Sequence, residues 1–125
     1  MKKLALGGLF ALMACGGPGS KTPEHAAAEV TNAFASALRA EMNGVPVFVS
    51  VDMDVLDPSI LPGTGNPEPG GPTYRELREA LLGLAGARIV GIDFVEVAPV
   101  LDSSGLSPIV AAELARDVIL GLLVP

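Results

Sequence analysis

The length and charge of the chain set the first limits on what it can do. With 125 residues it holds one domain at most. Half of the residues are apolar, aromatic residues are few, and there is no Trp. Eight Lys and Arg stand against fourteen Asp and Glu, so the clustered cations that nucleic-acid binding needs are missing. An acidic surface weakly favours a small cationic ligand.

The first fifteen residues have the pattern of a secretion signal. Residues 1–3 give a positive start, and the apolar or glycine run over 4–14 is shorter than the roughly 20 residues that a membrane-spanning helix needs. Residues 12–15 end the run like a bacterial lipoprotein signal, in which Cys15 would carry the lipid. A buried apolar strand or helix with an incidental thiol is the alternative. A Gly, Pro and Ser linker follows over 16–21.

The cellular location depends on that signal. If it is genuine, we expect a lipid-anchored protein of the cell envelope. If the signal is instead a misassigned start, we expect a cytoplasmic protein. The rest of the chain, residues 22–125, is predicted to form one partial domain.

Helices and strands alternate along this domain. The predicted elements are a helix from Thr22 to Asn43-Gly44, a strand over Val45–Met53, a Gly- and Pro-rich loop over Asp54–Pro72, a helix from Thr73 to about Ala85, a strand over Ile89–Val97, and a helix from Ser107 to about Leu122. The first strand is apolar on both faces, which is typical of a parallel strand covered by helices. Thr73 and Glu76 have the spacing of a capping box. The order predicts an α/β fold with one crossover unit of a parallel sheet.

Two carboxylates stand at the end of the first predicted strand. Alternation places Phe48, Ser50, Asp52 and Asp54 on one face, so both acids point the same way. Carboxylates this close repel each other, which favours a proton or a cation between them. Their oxygens suit magnesium, calcium or manganese, and open parallel sheets bind ligands at this edge. A pair of turn-forming residues is an equal alternative on spacing alone, and Asp57-Pro58 has that turn pattern.

The same region resembles the ureohydrolase family, which includes the arginases and agmatinases. Residues 50–58 look like the family signature S-x-D-x-D-x-x-D-P, and residues 62–71 continue as the family does. Residues 73–76, residues 91–99 and the Asp102 stretch are similar to its later blocks. The motifs Pro-Gly-Thr-Gly and Pro-Glu-Pro-Gly-Gly resemble those of agmatinases more than those of arginases. The likeness covers the C-terminal part of the family, in which Thr is usual where this chain has Asn66.

The resemblance implies a fold, a cofactor and three site residues. The fold would be the C-terminal portion of a three-layer α/β/α arginase-like domain, with about two strands and three helices. Asp52 and Asp54 would ligate a two-manganese cluster, and Glu96 would accept the guanidinium of the substrate. The activity would be manganese-dependent hydrolysis of an agmatine-like guanidino compound, with release of urea. Without the resemblance, a solvated carboxylate at a strand end is the preferred interpretation of Glu96.

Part of the family pattern is not found in the sequence. The family's His-containing metal block has no match, and His25, the one histidine, is predicted to be a solvated helix-start residue. A second hypothesis is therefore a catalytically incomplete fragment. A third is a lipid-anchored interaction protein whose sheet edge pairs with another chain. A homo-oligomer is compatible with each.

Overall fold

The computed structural model describes residues 2–5, 33 and 35–122. Its elements are strand β1 (Lys2–Ala5), helix α1 (35–41), strand β2 (Val47–Asp52), helix α2 (Tyr74–Leu82), strand β3 (Ile89–Val95) and helix α3 (Leu106–Leu122), with short 3-10 turns at Met53–Val55 and Pro99–Leu101. None of the helices in these ranges combines the length and the apolar character that a bilayer crossing requires.

The three strands form one parallel sheet in the order β1-β2-β3. This architecture confirms the α/β prediction, and both predicted strands are present. Strand β2 begins two residues later and ends one residue earlier than predicted, and β3 ends two residues earlier. Strand β1 adds to the expected two strands, because Lys2–Ala5 pairs with Val47–Ser50. Residues 2–5 of the predicted signal thus form a sheet strand, and the signal itself stays a prediction. Cys15 and the linker 16–21 lie outside the described residues.

The helix ends follow local chemistry. The capping box of α2 is confirmed, since the Thr73 side chain accepts a hydrogen bond from the Glu76 backbone and the Glu76 side chain accepts one from the Thr73 backbone. This helix ends at Leu82, earlier than predicted, and helix α3 begins at Leu106, one residue before the expected start. The predicted start of the first helix at Thr22 lies outside the described residues.

The core lies on one face of the sheet. Val47, Val49 and Val51 of β2 are fully buried, and α2 and α3 cover them with four buried side chains, Leu77, Leu81, Leu114 and Val118. Each buried aliphatic side chain contributes about 1.5–3 kcal/mol. The two helices are also joined by polar contacts, because Asp117 of α3 accepts hydrogen bonds from Tyr74 Oη at 3.0 Å and Arg78 Nε at 2.6 Å.

Candidate metal and guanidinium site

The two predicted metal ligands lie where β2 ends. Asp52 is the last residue of the strand, and its Oδ1 accepts a hydrogen bond from the Asp54 backbone N–H at 3.1 Å. This bond caps the 3-10 turn Met53–Val55, which interrupts the strand alternation. Asp54 therefore lies beyond the strand, and the alternation of β2 does not extend to it. It is 8% exposed, and its Oδ1 has no hydrogen-bond partner among the residues that the structure describes.

Electrostatics at Asp54 favour a neutralising group. Burial raises the pKa of this carboxyl group above its ordinary value, and the negative charges of Asp52 and Glu68 raise it further. The side chain and backbone of Asn66 lower the pKa, but neither satisfies Asp54 Oδ1. A buried carboxylate with an unsatisfied oxygen and negative neighbours is stabilised by a proton or by a cation.

A pocket of about 170 Å³ opens beside these carboxylates. It is lined by Asp52, Asp54, Val55, Asn66 and Glu68. The structure thus brings together the two predicted ligands and adds two polar residues of the Gly- and Pro-rich loop. Within the described residues, no group of three or more His, Cys, Asp or Glu has a metal-binding arrangement. The two carboxylates and the unpartnered oxygen fit part of a cation site.

The loop that lines this pocket is held by Asp57. Its carboxylate accepts hydrogen bonds from Ser59 Oγ at 2.5 Å, from Ser59 N at 2.9 Å and from Gly70 N at 2.8 Å, and these bonds lower the pKa of Asp57. Gly71 N also bonds to Glu68 O at 3.0 Å, and Gly70 has φ +82°, which makes residues 68–71 a type II turn. The turn-forming role expected for Asp57 is confirmed, and the turn places Glu68 beside the pocket.

Glu96 lies at the same edge of the sheet, directly after β3. The register pairs Asp52 with Val95, so Glu96 follows the residue opposite the first predicted ligand. It is solvent-exposed and does not line the pocket beside Asp54. Its φ of +64° lies in the left-handed region, which costs a residue other than glycine about 1–2 kcal/mol. Strained backbone of this kind is found at functional sites.

A hydrogen-bond network connects the loop to the segment after β3. Gly63 O accepts a bond from Ala98 N at 2.7 Å, and Gly63 N donates to Ser107 Oγ at 2.7 Å. Asp102 accepts bonds from Ser107 N and Oγ at 2.7 and 2.6 Å and from Ser104 Oγ at 2.5 Å. These donors hold the pKa of Asp102 well below its usual range. The network stabilises the relative positions of the two sides of the site.

Two other buried polar atoms have no partner among the described residues. They are Thr64 Oγ1, in the loop, and Asp93 Oδ1, on β3 opposite Ser50. Neither residue is predicted from the sequence as a site residue, and the same holds for Glu68 and for the role of Ser107. An Asp inside the apolar run of β3 was a signal for Asp93. No local pattern pointed to Thr64 or Ser107, whose surroundings come from distant segments.

Comparison with known proteins places these residues in a family. A family model described as the arginase family matches residues 21–121. The chain belongs to the arginase family. It is 46% identical over 83 residues to an agmatinase of Bacillus anthracis, an alignment that covers 65% of this chain and 29% of the relative. It is 40% identical over 85 residues to human mitochondrial guanidino acid hydrolase, and this alignment covers 68% of this chain and 24% of the human protein.

Solved structures give the same result for the fold. Proclavaminate amidino hydrolase from Streptomyces clavuligerus superposes with a TM-score of 0.67 at 38% identity, over 71% of this chain and 30% of that one. Arginase from Bacillus caldovelox superposes with a TM-score of 0.63 at 38% identity, over 74% and 30%. The arginase-like α/β fold is therefore confirmed for this part of the family. The chain spans less than a third of the length of these relatives.

Proposed function

We propose that this chain carries part of the active site of a manganese-dependent, agmatinase-like ureohydrolase. The observation that carries the proposal is the Oδ1 of Asp54, which is buried next to Asp52 at the carboxyl end of a parallel strand and has no partner within the described part of the chain. The identity to a Bacillus anthracis agmatinase supports a guanidino substrate. The acidic balance of the chain agrees with a small cationic ligand.

Each residue has a definite role in this proposal. Asp52 and Asp54 hold manganese, since hard carboxylate oxygens suit that ion. When bound, the metal pair lowers the pKa of a water molecule and orients it for hydrolysis of the guanidino group, with release of urea. Glu96 accepts N–H groups of the guanidinium fork, which matches a carboxylate in geometry and charge.

An incomplete, non-catalytic site is the second candidate. Two carboxylates are fewer than a metal pair needs, and no group of three potential ligands occurs in the described part of the chain. Under this hypothesis manganese binds and urea is not released. A lipid-anchored interaction protein is the remaining proposal, and it requires lipid on Cys15, which Cys15→Ser would remove.

A manganese titration followed by an agmatine assay tests the main proposal. Manganese that binds only the native chain should stabilise it by about 2.7 kcal/mol at one hundred times the dissociation constant. The double variant Asp52→Asn/Asp54→Asn should lose that response. Glu79→Gln, which removes one exposed carboxylate from α2, is the control and should keep it.

Three outcomes of the titration and the assay separate the candidates. Urea released from agmatine, in a manganese-dependent way that the double variant abolishes, supports the hydrolase. A manganese response without urea supports the incomplete site. A chain that manganese leaves unchanged contradicts both metal-binding candidates.

A further inference from the structure

Helix α3 is apolar on two opposite sides, and only one of them faces the core. Ser107, Leu114 and Val118 on the inner side are buried. On the outer side Ile109 and Leu120 are 60% and 56% exposed. A helix that is apolar all round is typically buried on all sides, and exposed aliphatic side chains on one surface indicate a contact with another molecule. The outer side of α3 is therefore a candidate interaction surface.

Four residues form a straight row along this outer side, namely Ile109, Glu113, Arg116 and Leu120. They are four, three and four positions apart, so they lie one above the other on a helix with 3.6 residues per turn. The two central residues are in contact, because Arg116 pairs with Glu113, and their side chains are 57% and 46% exposed. This outer row thus has an aliphatic residue at each end and an ion pair in the middle.

The outer row is complementary to itself when two copies lie antiparallel. The spacing is the same in both directions, so the register that places Ile109 opposite Leu120 of a second copy also places Glu113 opposite Arg116 of that copy. A two-fold axis at the middle of the row repeats both contacts. A parallel pair would instead place each charge against its own kind, which is repulsive. The order of charges therefore favours the antiparallel arrangement.

We propose that the outer row of α3 binds a second copy of this chain and forms a two-fold symmetric dimer with antiparallel α3 helices. The helix has 17 residues and is about 25 Å long. A contact between two single helices of this length is smaller than the roughly 1,600 Å² of a standard stable interface. The dimer is therefore weak and its population depends on concentration. The carboxylates Asp52 and Asp54 take no part in it, so the dimer is independent of the proposed function.

Two charge reversals in the full 125-residue chain provide the main test. Glu113→Arg leaves two positive charges in the middle of the row, and Arg116→Glu leaves two negative charges there. Each variant places like charges together in its own dimer, whereas an equal mixture of the two places opposite charges together. Contacts within one helix cannot restore association on mixing. Sedimentation equilibrium measures the dissociation constants of each variant and of the mixture.

Matched controls separate this contact from general effects of charge and hydrophobicity. Glu79→Arg and Arg75→Glu make the same changes of net charge at exposed positions of α2. Ile109→Ser removes an aliphatic end of the outer row, and Val90→Ser removes an aliphatic residue of β3 that is 51% exposed. Circular dichroism of each dilute variant verifies that it is folded.

We expect a reversible monomer–dimer equilibrium for the unmodified chain. Each reversal in the outer row should raise the dissociation constant at least about ten-fold, because like charges meet twice in a symmetric dimer. The mixture should associate more tightly than either variant alone. Ile109→Ser should weaken the dimer about ten-fold through lost apolar burial. The controls should stay within about two-fold of the unmodified chain, since exposed charges farther than about 8 Å from the contact are screened at physiological salt.

Different results overturn different parts of this proposal. An unmodified chain that stays monomeric up to about 1 mM overturns the dimer, and slow hydrogen exchange over 109–120 in that monomer would show that another segment of the same chain covers the row. A dimer that neither reversal weakens forms through another surface. Weakened variants that mixing does not restore overturn the antiparallel register. Where a reversal variant does not fold, Ile109→Ser against Val90→Ser decides whether the row is the contact.

Discussion

The two faces of the central strand β2 are covered very differently. Val47, Val49 and Val51 are fully buried under α2 and α3. On the opposite face Ser50 and Asp52 remain partly exposed. The register places Asp93 of β3 opposite Ser50, and its Oδ1 has no partner in residues 2–5, 33 and 35–122. Stability therefore comes mainly from the apolar face. Polar groups that remain available to hydrogen-bond a ligand or a neighbouring segment lie on the other face and at the strand ends.

The largest change in the free energy of unfolding should come from a cavity in the apolar core between the sheet and α3. Leu114→Ala in α3 removes a fully buried side chain and should lower the free energy of unfolding by about 3 kcal/mol. Leu120→Ala, in the same helix at a position 56% exposed, should change it by less than about 0.5 kcal/mol. Urea unfolding measures both. Equal effects would show that α3 does not pack as described.

In the loop that lines the site, replacing one glycine by alanine should lower stability, and replacing another should not. A Cβ on Gly71 would lie 2.2 Å from the Val55 carbonyl oxygen, whereas nothing lies within 4 Å of one on Gly65. Gly71→Ala should therefore lower the free energy of unfolding by about 2 kcal/mol and disturb the Asp54 pocket. Gly65→Ala should leave stability nearly unchanged. Thermal melts of the two variants compare them directly, and a destabilised Gly65→Ala would contradict this account.

Acid should weaken the contact between α2 and α3. The Arg78 guanidinium, with Arg116 and Tyr74, lowers the pKa of Asp117 to about 2. A carboxyl group whose pKa is depressed on folding stabilises the fold above its unfolded value, near 3.8, and this contribution is lost as the pH falls towards 2. Asp117→Asn should therefore reduce the loss of stability between pH 4 and pH 2. Unfolding midpoints over that range provide the measurement, and identical slopes would rule out this role.

The smallest expected effect concerns the strained residue at the strand end. Glu96→Gly relieves the cost of φ +64° but adds the backbone entropy of glycine in the unfolded chain. The net result should be a gain of about 0.5 kcal/mol in the free energy of unfolding. Agmatine binding should fall at the same time, because the carboxylate is lost. Glu96→Ala keeps the strain and removes the carboxylate, so it should lose binding without the gain in stability.

Local patterns predicted most of the elements. The alternation of β2, the Thr73–Glu76 capping box and the turn at Asp57 each depend on residues a few positions apart, and the structure contains all three. The pairing of Lys2–Ala5 with β2 does not follow from local pattern, because a short apolar segment after two lysines also has the pattern of a secretion signal. Its partner strand lies more than forty residues away, beyond the reach of periodicity.

The sequence by itself determined the family, the α/β class and the two acidic residues at the end of β2, because these follow from local motifs and short-range hydrogen bonding. Only the tertiary structure decided which polar atoms are buried without partners. It also joined Gly63 to Ser107, across 44 positions, and set Asn66 and Glu68 beside Asp54. Burial and long-range hydrogen bonds depend on how separate segments pack, and packing is a property of the whole fold rather than of any stretch of the chain.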